Sequence, residues 1–331
     1  MARLGLAEAE ALASAALVRA RTAPANAASV ARALIRAESE GLRGHGLARV
    51  PSYALQARAG KVDGFAIPTL TRPRLGLVAV DAAHGFAYPA LDAAVAALPD
   101  PARTCGVAAA AIRRSHHAGA AGQPAERLAE LGLVALVLAN TPPAIAPWGG
   151  SRPVFGTNPL AFACPLPGRA PLVVDLSLSK VARGNVVAAA QRGEPIPADW
   201  AFDREGRPTT DAHAALAGTM APLGDAKGTA LALVVELLAA GLTGANFAAE
   251  ASSFLDSDGP PPGTGQLLLA FDPAAFGGHD AVVRFGVLAA SIEAQPGARL
   301  PGARRAAARA RAEAEGIEVG DALLTQIEAG E

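Results

Sequence analysis

A histidine between two glycines, followed by an arginine, is the first candidate for chemistry in this sequence. The stretch GLRGHGLARVPSY, residues 41–53, places His45 between Gly44 and Gly46, with Arg49 four positions later. An imidazole exchanges protons near neutral pH, and a guanidinium binds carboxylates. The glycines let the backbone approach a ligand closely. This pattern predicts an acid–base site for a small 2-oxo or 2-imino acid, although a lone histidine is more often an ordinary loop residue.

Three other segments have the residue types of an anion site. RRSHHAGAAGQPAERL, residues 113–128, leads from a predicted strand through a small-residue turn into a helix, whose first amides can hold phosphate. Lys227 begins a long apolar helix, where a cation gains nothing from the helix dipole unless it meets an anion. RLPGARR, residues 299–305, places three arginines where another helix begins. Each segment also has a structural explanation, as a plain junction or a solvated basic surface.

The loop APWGGSRPVFGTNPLAF, residues 146–162, is dense in glycine, proline and polar residues between two predicted strands. Such a loop carries many backbone donors, and Thr157 and Asn158 are candidates to contact a ligand, although a long structural loop fits the composition equally well. The dinucleotide motif GxGxxG is absent from the sequence, so a standard Rossmann fold is not indicated. No spacing of aspartates and histidines indicates a metal site.

Composition excludes several classes of partner. The chain has 331 residues and a formal net charge of −1, so no global field attracts nucleic acid or an anionic membrane. The two cysteines, Cys105 and Cys164, are far apart in sequence, which predicts a reducing, cytoplasmic location. Glu8 and Glu10 interrupt the N-terminal apolar stretch, unlike a secretory signal. No charge-free apolar run of about 18 residues indicates a membrane span.

The order of predicted elements indicates an α/β fold. Strong helix formers occupy residues 5–40, with a break at Pro24, and the last forty residues are again helical. Between them, short apolar runs bounded by glycine, proline or aspartate alternate with helical stretches and predict buried strands. We therefore expect an α/β body over residues 71–289 and a helical subdomain formed by residues 1–70 with 290–331.

These segments, in this order, resemble the malate/L-lactate dehydrogenase family of NAD(P)-dependent oxidoreductases that lack a Rossmann fold. The resemblance spans nearly the whole chain, and its most specific part is the APWGG…PVFGTNPLAFA block of residues 146–163. Further matching pieces are SHHAGAAG, VVDLSLSKVARG, PLGDAKGTALALVVELLAAGLTGA, GPPPGTGQLLLAFDP and RLPGARR. The resemblance implies an NAD(P)-binding α/β body with a mixed sheet, and a homodimer with the active site near the subunit interface.

The resemblance also implies roles for individual residues. His45 matches the family's proton donor, Arg49 the partner of the substrate carboxylate, and Thr157 and Arg183 further substrate contacts. The implied cofactor residues are His117, Ala118, Gly119, Ala120, Ala121, Asp175, Leu176, Ser177, Lys227, Arg299, Pro301, Gly302, Arg304 and Arg305. NADPH is expected rather than NADH, because Lys227, Arg304 and Arg305 offer more positive charge than a pyrophosphate requires.

Three positions depart from the family pattern. Gly44 stands where the family usually has a serine that relays charge to the histidine. Ala118 stands where an aromatic side chain often follows the cofactor-loop histidine, which leaves room beside the nicotinamide. Asp225 lies in Gly-Asp-Ala-Lys-Gly, where Gly-Gly-x-Lys-Gly is usual, and it alters the charge beside Lys227.

The sequence variants DLSLSKVARG and SFLDSDGPPPGTGQLLLAFDP look most like the cyclic imino acid reductases of this family. The resemblance thus implies reduction of Δ1-piperideine-2-carboxylate to L-pipecolate and of Δ1-pyrroline-2-carboxylate to L-proline. A reductase of 2-oxo acids such as those corresponding to malate, lactate, ureidoglycolate or a diketo sugar acid is the alternative within the same fold. A non-catalytic nucleotide-binding dimer is the alternative of another class, raised by the glycine at position 44.

Overall fold

The computed structural model describes residues 2–278 and 280–329 and is built around a seven-stranded mixed sheet. The strands are, in chain order, β1 (Ala2–Leu4), β2 (Thr69–Arg74), β3 (Leu77–Asp81), β4 (Val107–Ser115), β5 (Val134–Ala139), β6 (Leu160–Leu166), β7 (Arg169–Leu176), β8 (Ala201–Phe202), β9 (Thr219–Met220), β10 (Thr264–Phe271) and β11 (Ile317–Val319). The large sheet has the order β2–β3–β4–β10–β5–β6–β7. Its β3 and β4 run parallel, and its other neighbours are antiparallel. The predicted α/β class with a mixed sheet is confirmed.

Helices flank this sheet and form the two ends of the chain. They are α1 (Leu6–Arg19), α2 (Pro24–Ser39), α3 (Val50–Ala59), α4 (Ala87–Ala97), α5 (Pro99–Cys105), α6 (Gly122–Glu130), α7 (Arg183–Arg192), α8 (Ala212–Ala217), α9 (Ala226–Glu236), α10 (Pro273–Gly277), α11 (Asp280–Glu293), α12 (Ala303–Glu315) and α13 (Asp321–Ala329). Short 3₁₀ turns at Arg43–His45 and Leu47–Arg49 lie between α2 and α3. Within the described residues, no helix has the length and apolar character needed to cross a bilayer.

The two faces of the sheet bury separate cores. One face packs against α4, α5 and α6 through aliphatic side chains such as Val78, Ile112 and Leu128. The other face packs against α7, α8 and α9, with Leu178 and Val235 at its centre. Alanine is abundant in both cores, and its small side chain lets the helices approach the strands closely. Because helices pack on both faces of the sheet, the carboxyl ends of β4 and β7 have fixed positions. The candidate cofactor segments extend from these two strand ends.

A third core joins the two ends of the chain. Residues from α1, α2 and α3 pack with residues from β11 and α13, including Leu17, Leu34, Tyr53, Val319 and Ile327. In the same part of the molecule, β1 pairs antiparallel with β11. The turn that carries the candidate histidine and arginine is therefore held between helices anchored by this core.

The sequence analysis missed strand β2. The segment TLTRPR has no apolar alternation and contains Pro73, which disfavours an internal strand. It nevertheless pairs antiparallel with β3, with Thr69 opposite Asp81, and lies exposed at the edge of the sheet. An edge strand needs neither a buried face nor a complete set of backbone donors, so its sequence lacked the usual signal.

Gly228, next to Lys227, is predicted to be intolerant of any side chain. A β-carbon at this position would lie 1.8 Å from the backbone oxygen of Leu223, and backbone atoms cannot move aside cheaply. We expect Gly228→Ala to lower the free energy of unfolding by about 3 kcal/mol, measured by urea denaturation. Gly184→Ala is the control, because nothing lies within 4 Å of its added carbon. Equal stability of the two variants would contradict this packing.

Candidate active site

The turn that carries His45 and Arg49 is anchored by Glu38 of α2. One carboxylate oxygen of Glu38 accepts the backbone N–H of Leu47 at 2.9 Å. The same oxygen would lie 2.0 Å from a β-carbon at Gly46, so the close approach depends on glycine there. Burial raises the pKa of Glu38, while the Leu47 hydrogen bond opposes that rise. The glycine predicted to allow close approach to a ligand thus also allows close approach of this supporting carboxylate.

Arg49 faces the site with its charge unpaired. Its Nε donates to the backbone oxygen of Gly44 at 2.7 Å, which closes the turn around His45. Within residues 2–278 and 280–329, the structure gives its two terminal nitrogens no hydrogen bond or ion pair. A guanidinium in this state presents a forked pair of donors, which matches the geometry of a carboxylate.

Two histidines from distant parts of the sequence stack at the centre of the site. The rings of His45 and His117 lie 5.3 Å apart between centroids, with an interplanar angle of 12°. Nδ1 of His117 lies 2.5 Å from the hydroxyl of Tyr53, which in turn lies 3.1 Å from the hydroxyl of Tyr88. Nδ1 of His45 is buried and has no hydrogen-bond partner among the described residues. The two imidazoles therefore stand in different chemical environments.

All three histidines around this centre have a lowered pKa. Burial, with the neighbouring Arg49 charge next in importance, lowers the pKa of His45 to about 4, and Asp175 acts in the opposite direction. Burial and the charge of Lys61 lower the pKa of His116 to about 3. Burial and Arg49 hold the pKa of His117 well below its ordinary value. In the ligand-free protein all three rings are neutral at pH 7.

These pKa values predict loss of stability in mild acid. Because the unfolded chain has histidine pKa values near 6.5, it binds more protons than the folded chain once the pH falls below that value. Stability should therefore decrease as the pH falls from about 6.5 toward the folded values, about 4 for His45 and about 3 for His116. We expect the urea concentration at the midpoint of unfolding to be lower at pH 5.5 than at pH 7.

The histidine contribution can be separated from that of other groups. His116→Gln should make the dependence of the urea midpoint on pH shallower, because one buried ring is removed. His213, exposed at the start of α8, supplies the matched control variant His213→Gln, which should keep the wild-type slope. A slope that is identical in wild type and His116→Gln would show that other groups carry the acid sensitivity.

Residues 251–262, which follow α9 in the chain, form a short segment that packs against His116 and His117. The ring of Phe254 lies 5.2 Å between centroids from both His116 and His117. Gln56 fixes this arrangement, because its amide nitrogen donates to the backbone oxygen of Phe254 and its amide oxygen pairs with Nε2 of His116. The buried ammonium of Lys61 adds a hydrogen bond and an ion pair to Asp256. The segment provides an aromatic wall beside the stacked imidazoles.

Three of the predicted cofactor segments meet beside this centre. Arg305 forms an ion pair with Asp175 at 2.8 Å and also donates to its backbone oxygen. The carboxylate of Asp175 packs against Gly122, where a β-carbon would lie 3.0 Å from it. Asp175 and Arg305 both act on the pKa of His45. The strand end at 175, the turn at 305 and the loop that leads into α6 thus converge on the candidate proton donor.

A cavity of about 290 Å³ extends from this meeting point. It is bounded by the first residue of α6, Gly122, by Val173 of β7 and by Pro301, Gly302 and Arg305 at the start of α12. No side chain caps the N-terminus of either helix, but the amides of Gln123 and Ala303 donate to the backbone oxygens of Ala120 and Leu300, and Pro124 has no amide hydrogen. The amides of Gly122 and Arg304 have no acceptor among the described residues and stay available to an anion. The cavity lies beside Pro301, Gly302 and Arg305, three of the residues expected to contact the cofactor.

The other residues of the predicted cofactor set occupy distinct places. Ala120 and Ala121 are buried, Ala118 and Gly119 are half-buried, and a β-carbon on Gly119 would lie 2.6 Å from the hydroxyl of Tyr88. Leu176 and Ser177 continue from Asp175 and are half-buried. Arg299, Arg304 and Lys227 are exposed. Arg305 enters the site as half of an ion pair, so the expected surplus of free positive charge is smaller than the sequence indicated.

Thr157 and Lys227 belong to segments that meet next to the 175–177 strand end. The backbone oxygen of Thr157 accepts the N–H of Leu178, and the N–H of Leu223, four residues before Lys227, donates to the backbone oxygen of Leu178. The Thr157 loop is held by buried Glu236, which accepts hydrogen bonds from the side chains of Asn140 and Asn158. This network explains how a long loop keeps a fixed position.

The hydrogen bonds of Arg183 go to segments other than those that carry the histidine pair. It donates to the backbone oxygens of Pro143 and Leu216, and burial lowers its pKa. Its Nε is buried without a partner among the described residues. The structure thus places the half-buried guanidinium of Arg183 against the loop that follows β5 and against α8, with no carboxylate partner in the part of the chain that the structure describes. Across the described ranges, no group of three acidic, histidine or cysteine side chains is arranged to hold a metal ion.

Sequence reasoning missed Tyr53, Tyr88 and Phe254 as site residues. Tyr53 could have been found, because it follows His45 and Arg49 at intervals of four residues, a spacing that places side chains on one side of a helical segment. Tyr88 and Phe254 gave no such signal, since each reaches the site only through packing between segments distant in sequence.

The fold and the site define a class of α/β protein in which acid–base side chains, an arginine and the starts of two helices meet beside one cavity, an arrangement suited to redox chemistry on small acids. The sequence matches the malate/L-lactate dehydrogenase family over residues 4–328, and the chain belongs to this family of oxidoreductases. The resemblance noted from the sequence motifs is therefore confirmed, and the absence of GxGxxG agrees with it.

Individual relatives differ in the substrates that their names state. The chain is 51% identical over 326 residues to a (2R)-3-sulfolactate dehydrogenase (NADP(+)) of Chromohalobacter salexigens, covering 98% of this chain and 97% of that protein. It is 42% identical to a Δ1-pyrroline-2-carboxylate/Δ1-piperideine-2-carboxylate reductase of Pseudomonas syringae pv. tomato, covering 93% and 90%. A solved structure of Δ1-piperideine-2-carboxylate reductase from that organism superposes with a TM-score of 0.94 at 39% identity, covering all of both chains.

Proposed function

We propose that this protein is an NADPH-dependent reductase of small 2-imino or 2-oxo carboxylates. The observation that carries the proposal is the guanidinium of Arg49, which has no carboxylate partner among the described residues, beside the half-buried ring of His45. One group binds the carboxylate, and the other handles the proton that must accompany hydride addition at C2. The name of the sulfolactate relative, which includes NADP(+), supports the choice of cofactor.

The roles of the protein side chains follow from their positions. Arg49 holds the substrate carboxylate through its two terminal nitrogens, and Thr157 contributes a further polar contact. His45 supplies the proton to the imine nitrogen or carbonyl oxygen, because hydride addition leaves that atom with a lone pair that must be protonated. The aromatic wall at Phe254 excludes water from one side of the histidine pair. Bound NADPH supplies the hydride.

The cofactor site is proposed on the geometry of the cavity. The amides of Gly122 at the start of α6 and of Arg304 at the start of α12 would hold the phosphates, and the loop His117 to Ala121 would run beside them. Asp175 and Arg305 would fix the edge of the site through their ion pair. Lys227 and Arg304, both exposed, are proposed to meet the 2′-phosphate, and comparable kcat/KM for NADPH and NADH would contradict that role.

The first substrate we propose is a cyclic imino acid, Δ1-piperideine-2-carboxylate or Δ1-pyrroline-2-carboxylate. Such a molecule has one carboxylate and an otherwise apolar ring. The site matches this division, because Arg49 is the cation beside His45 that has no carboxylate partner among the described residues, and Phe254 gives an apolar wall. The relatives named as reductases of these two compounds support the same substrate.

The second substrate we propose is the pair 3-sulfopyruvate and (2R)-3-sulfolactate. Two observations favour it. The relative named for sulfolactate shares 51% of its residues with this chain, more than the 42% shared by the reductase from Pseudomonas syringae. A doubly anionic substrate also needs a second cation, and the half-buried guanidinium of Arg183 has no carboxylate partner within the described residues.

One experiment separates these proposals. Purified protein and NADPH would be mixed with Δ1-piperideine-2-carboxylate, 3-sulfopyruvate, pyruvate or oxaloacetate in parallel, and loss of reduced-nicotinamide absorbance followed. The first proposal expects fast loss with the cyclic imine, and the second expects it with 3-sulfopyruvate. Arg183→Met should reduce activity toward 3-sulfopyruvate more than activity toward the imine. Cofactor binding without turnover on any of the four would instead support the non-catalytic alternative.

We also propose that the protein works as a homodimer in the cytoplasm, with residues 1–70 and 290–331 as one structural unit and 71–289 as the other. Large apolar side chains exposed on the surface, among them Phe276, Val287 and Leu288, support burial against a second copy. The free thiols of Cys105 and Cys164 are compatible with a reducing compartment. Light scattering of the purified protein tests the dimer.

A further inference from the structure

A line of three hydrogen-bonding groups runs from α4 through α3 to the cofactor loop. The hydroxyl of Tyr88 lies 3.1 Å from the hydroxyl of Tyr53, which lies 2.5 Å from Nδ1 of His117. Tyr53 is 0% exposed and Tyr88 is 5% exposed, so water does not compete for these groups. The direction of each hydrogen bond is therefore decided by the donors and acceptors within the line.

Counting protons fixes that direction. Each hydroxyl has one proton to donate, and a neutral imidazole has one N–H and one bare nitrogen. If Nδ1 of His117 donated to Tyr53, Tyr53 would donate to Tyr88, and the Tyr88 proton would have no acceptor among the described residues. If Tyr88 donates to Tyr53 and Tyr53 donates to Nδ1, every proton in the line is used. The second arrangement is favoured, because an unsatisfied buried donor is costly.

The imidazole at the end of the line then has a defined form. A ring that accepts a hydrogen bond at Nδ1 and remains neutral carries its proton on Nε2. The neighbouring ring of His45, stacked 5.3 Å away, has no partner at its own Nδ1 and is not restricted in this way. The two stacked histidines thus differ. His117 is held in one tautomer, whereas His45 can change its protonation state.

We propose that Tyr53 and Tyr88 are positioning residues that lock His117 as the neutral Nε2–H tautomer, so that this ring presents a hydrogen-bond donor to an oxygen of the bound cofactor. The hydrogen bond to the cofactor rests on the proposed function, whereas the tautomer of His117 does not depend on turnover. Because His117 stays in one neutral tautomer, it does not compete with His45 for a proton. The proton that reaches the substrate therefore comes from His45.

The tautomer can be measured directly in the ligand-free protein. Nitrogen NMR of protein labelled with ¹⁵N-histidine distinguishes N–H from bare ring nitrogens, and the His117 signals are assigned by their loss in His117→Gln. We expect wild type to show a protonated Nε2 and a bare, hydrogen-bonded Nδ1. Tyr53→Phe should give a mixture of the two tautomers, whereas Tyr88→Phe, which keeps the Tyr53–His117 bond, should retain the wild-type form as the major one.

Kinetics give the second readout. We expect Tyr53→Phe to raise KM for NADPH about tenfold, with a smaller change in kcat, and Tyr88→Phe to have less effect on both. A proton on Nδ1 in the wild type, or an unchanged tautomer in Tyr53→Phe, would overturn the inference. If no substrate is turned over by wild type, the proposed function fails, while the NMR result still decides the tautomer.

Discussion

Replacing His45 with alanine is expected to lower turnover by about 10²–10⁴-fold while leaving NADPH binding intact. The ring lies on the same turn as Arg49, whose terminal nitrogens have no partner among the described residues, and it stacks on His117 of the loop expected to contact the cofactor. Steady-state kcat with the active substrate measures the loss, and fluorescence titration measures cofactor binding. His213→Ala, at an exposed position on α8, is the matched control and should keep wild-type turnover.

The pH dependence gives the same prediction a second test. Reduction requires protonated His45, and burial together with Arg49 lowers the pKa of that ring to about 4 in the free protein. The value of kcat/KM for reduction should therefore rise as the pH falls from 8 to 5.5. Oxidation of the product needs the neutral ring, which is already the main form over this range, so its kcat/KM should be nearly independent of pH. In His45→Ala the pH dependence of reduction should flatten. A near-normal turnover in this variant would remove His45 from the mechanism.

The arginine is expected to have the second large effect, on substrate binding. Arg49→Met should raise KM for the substrate by about 10²-fold or more, because a charge-assisted forked hydrogen bond to the carboxylate is lost. KM for NADPH should change little, since the helix starts proposed to hold the phosphates do not involve Arg49. Arg58→Met, at an exposed site in the last turn of α3, the helix that follows Arg49, is the control.

Arg49 has a further measurable effect that needs no substrate. Because its charge lowers the pKa of His45, Arg49→Met should move the His45 titration to higher pH, which NMR can follow in the ligand-free protein. Arg49→Lys keeps the charge but loses the planar fork, so it should hold the His45 titration near the wild-type value while KM still rises. A His45 titration that is the same in wild type and Arg49→Met would contradict the proximity on which this prediction depends.

The two proposed substrates test different parts of the site. A cyclic imine requires one cation and an apolar wall, which Arg49 and Phe254 provide. Sulfopyruvate requires a second cation, and Arg183 offers a guanidinium that is half-buried without an acidic partner in the described part of the chain. If Arg183 proves indifferent to both substrates, its hydrogen bonds to Pro143 and Leu216 would define a structural role.

Glycine at position 44 bears on how the proton reaches His45. A serine at this position, usual in the family, would offer a hydroxyl beside the imidazole. Here the backbone oxygen of Gly44 is engaged by Arg49, and Nδ1 of His45 has no partner among the described residues. Gly44→Ser is therefore a direct comparison. Faster turnover in that variant would show that the relay limits the native protein.

The sequence alone determined the class of fold, the family and the short-range part of the site. Helix α2 begins at Pro24, α3 ends before Gly60, and apolar runs bounded by turn residues form strands, because these signals act within a few residues. His45 and Arg49 could be paired for the same reason, since they lie on one turn between two helices. The same short-range argument also applies to Tyr53, which follows Arg49 by four residues, although it was not among the predicted site residues.

The tertiary structure decided how distant segments meet and in what charge state. It stacked His45 on His117, placed Tyr88 and Phe254 against that pair, and joined Arg305 to Asp175. It also buried His116 and His117, half-buried His45, and lowered the pKa values of all three. Burial and long-range pairing depend on the packing of the whole chain rather than on local residue order, so no sequence pattern could specify them.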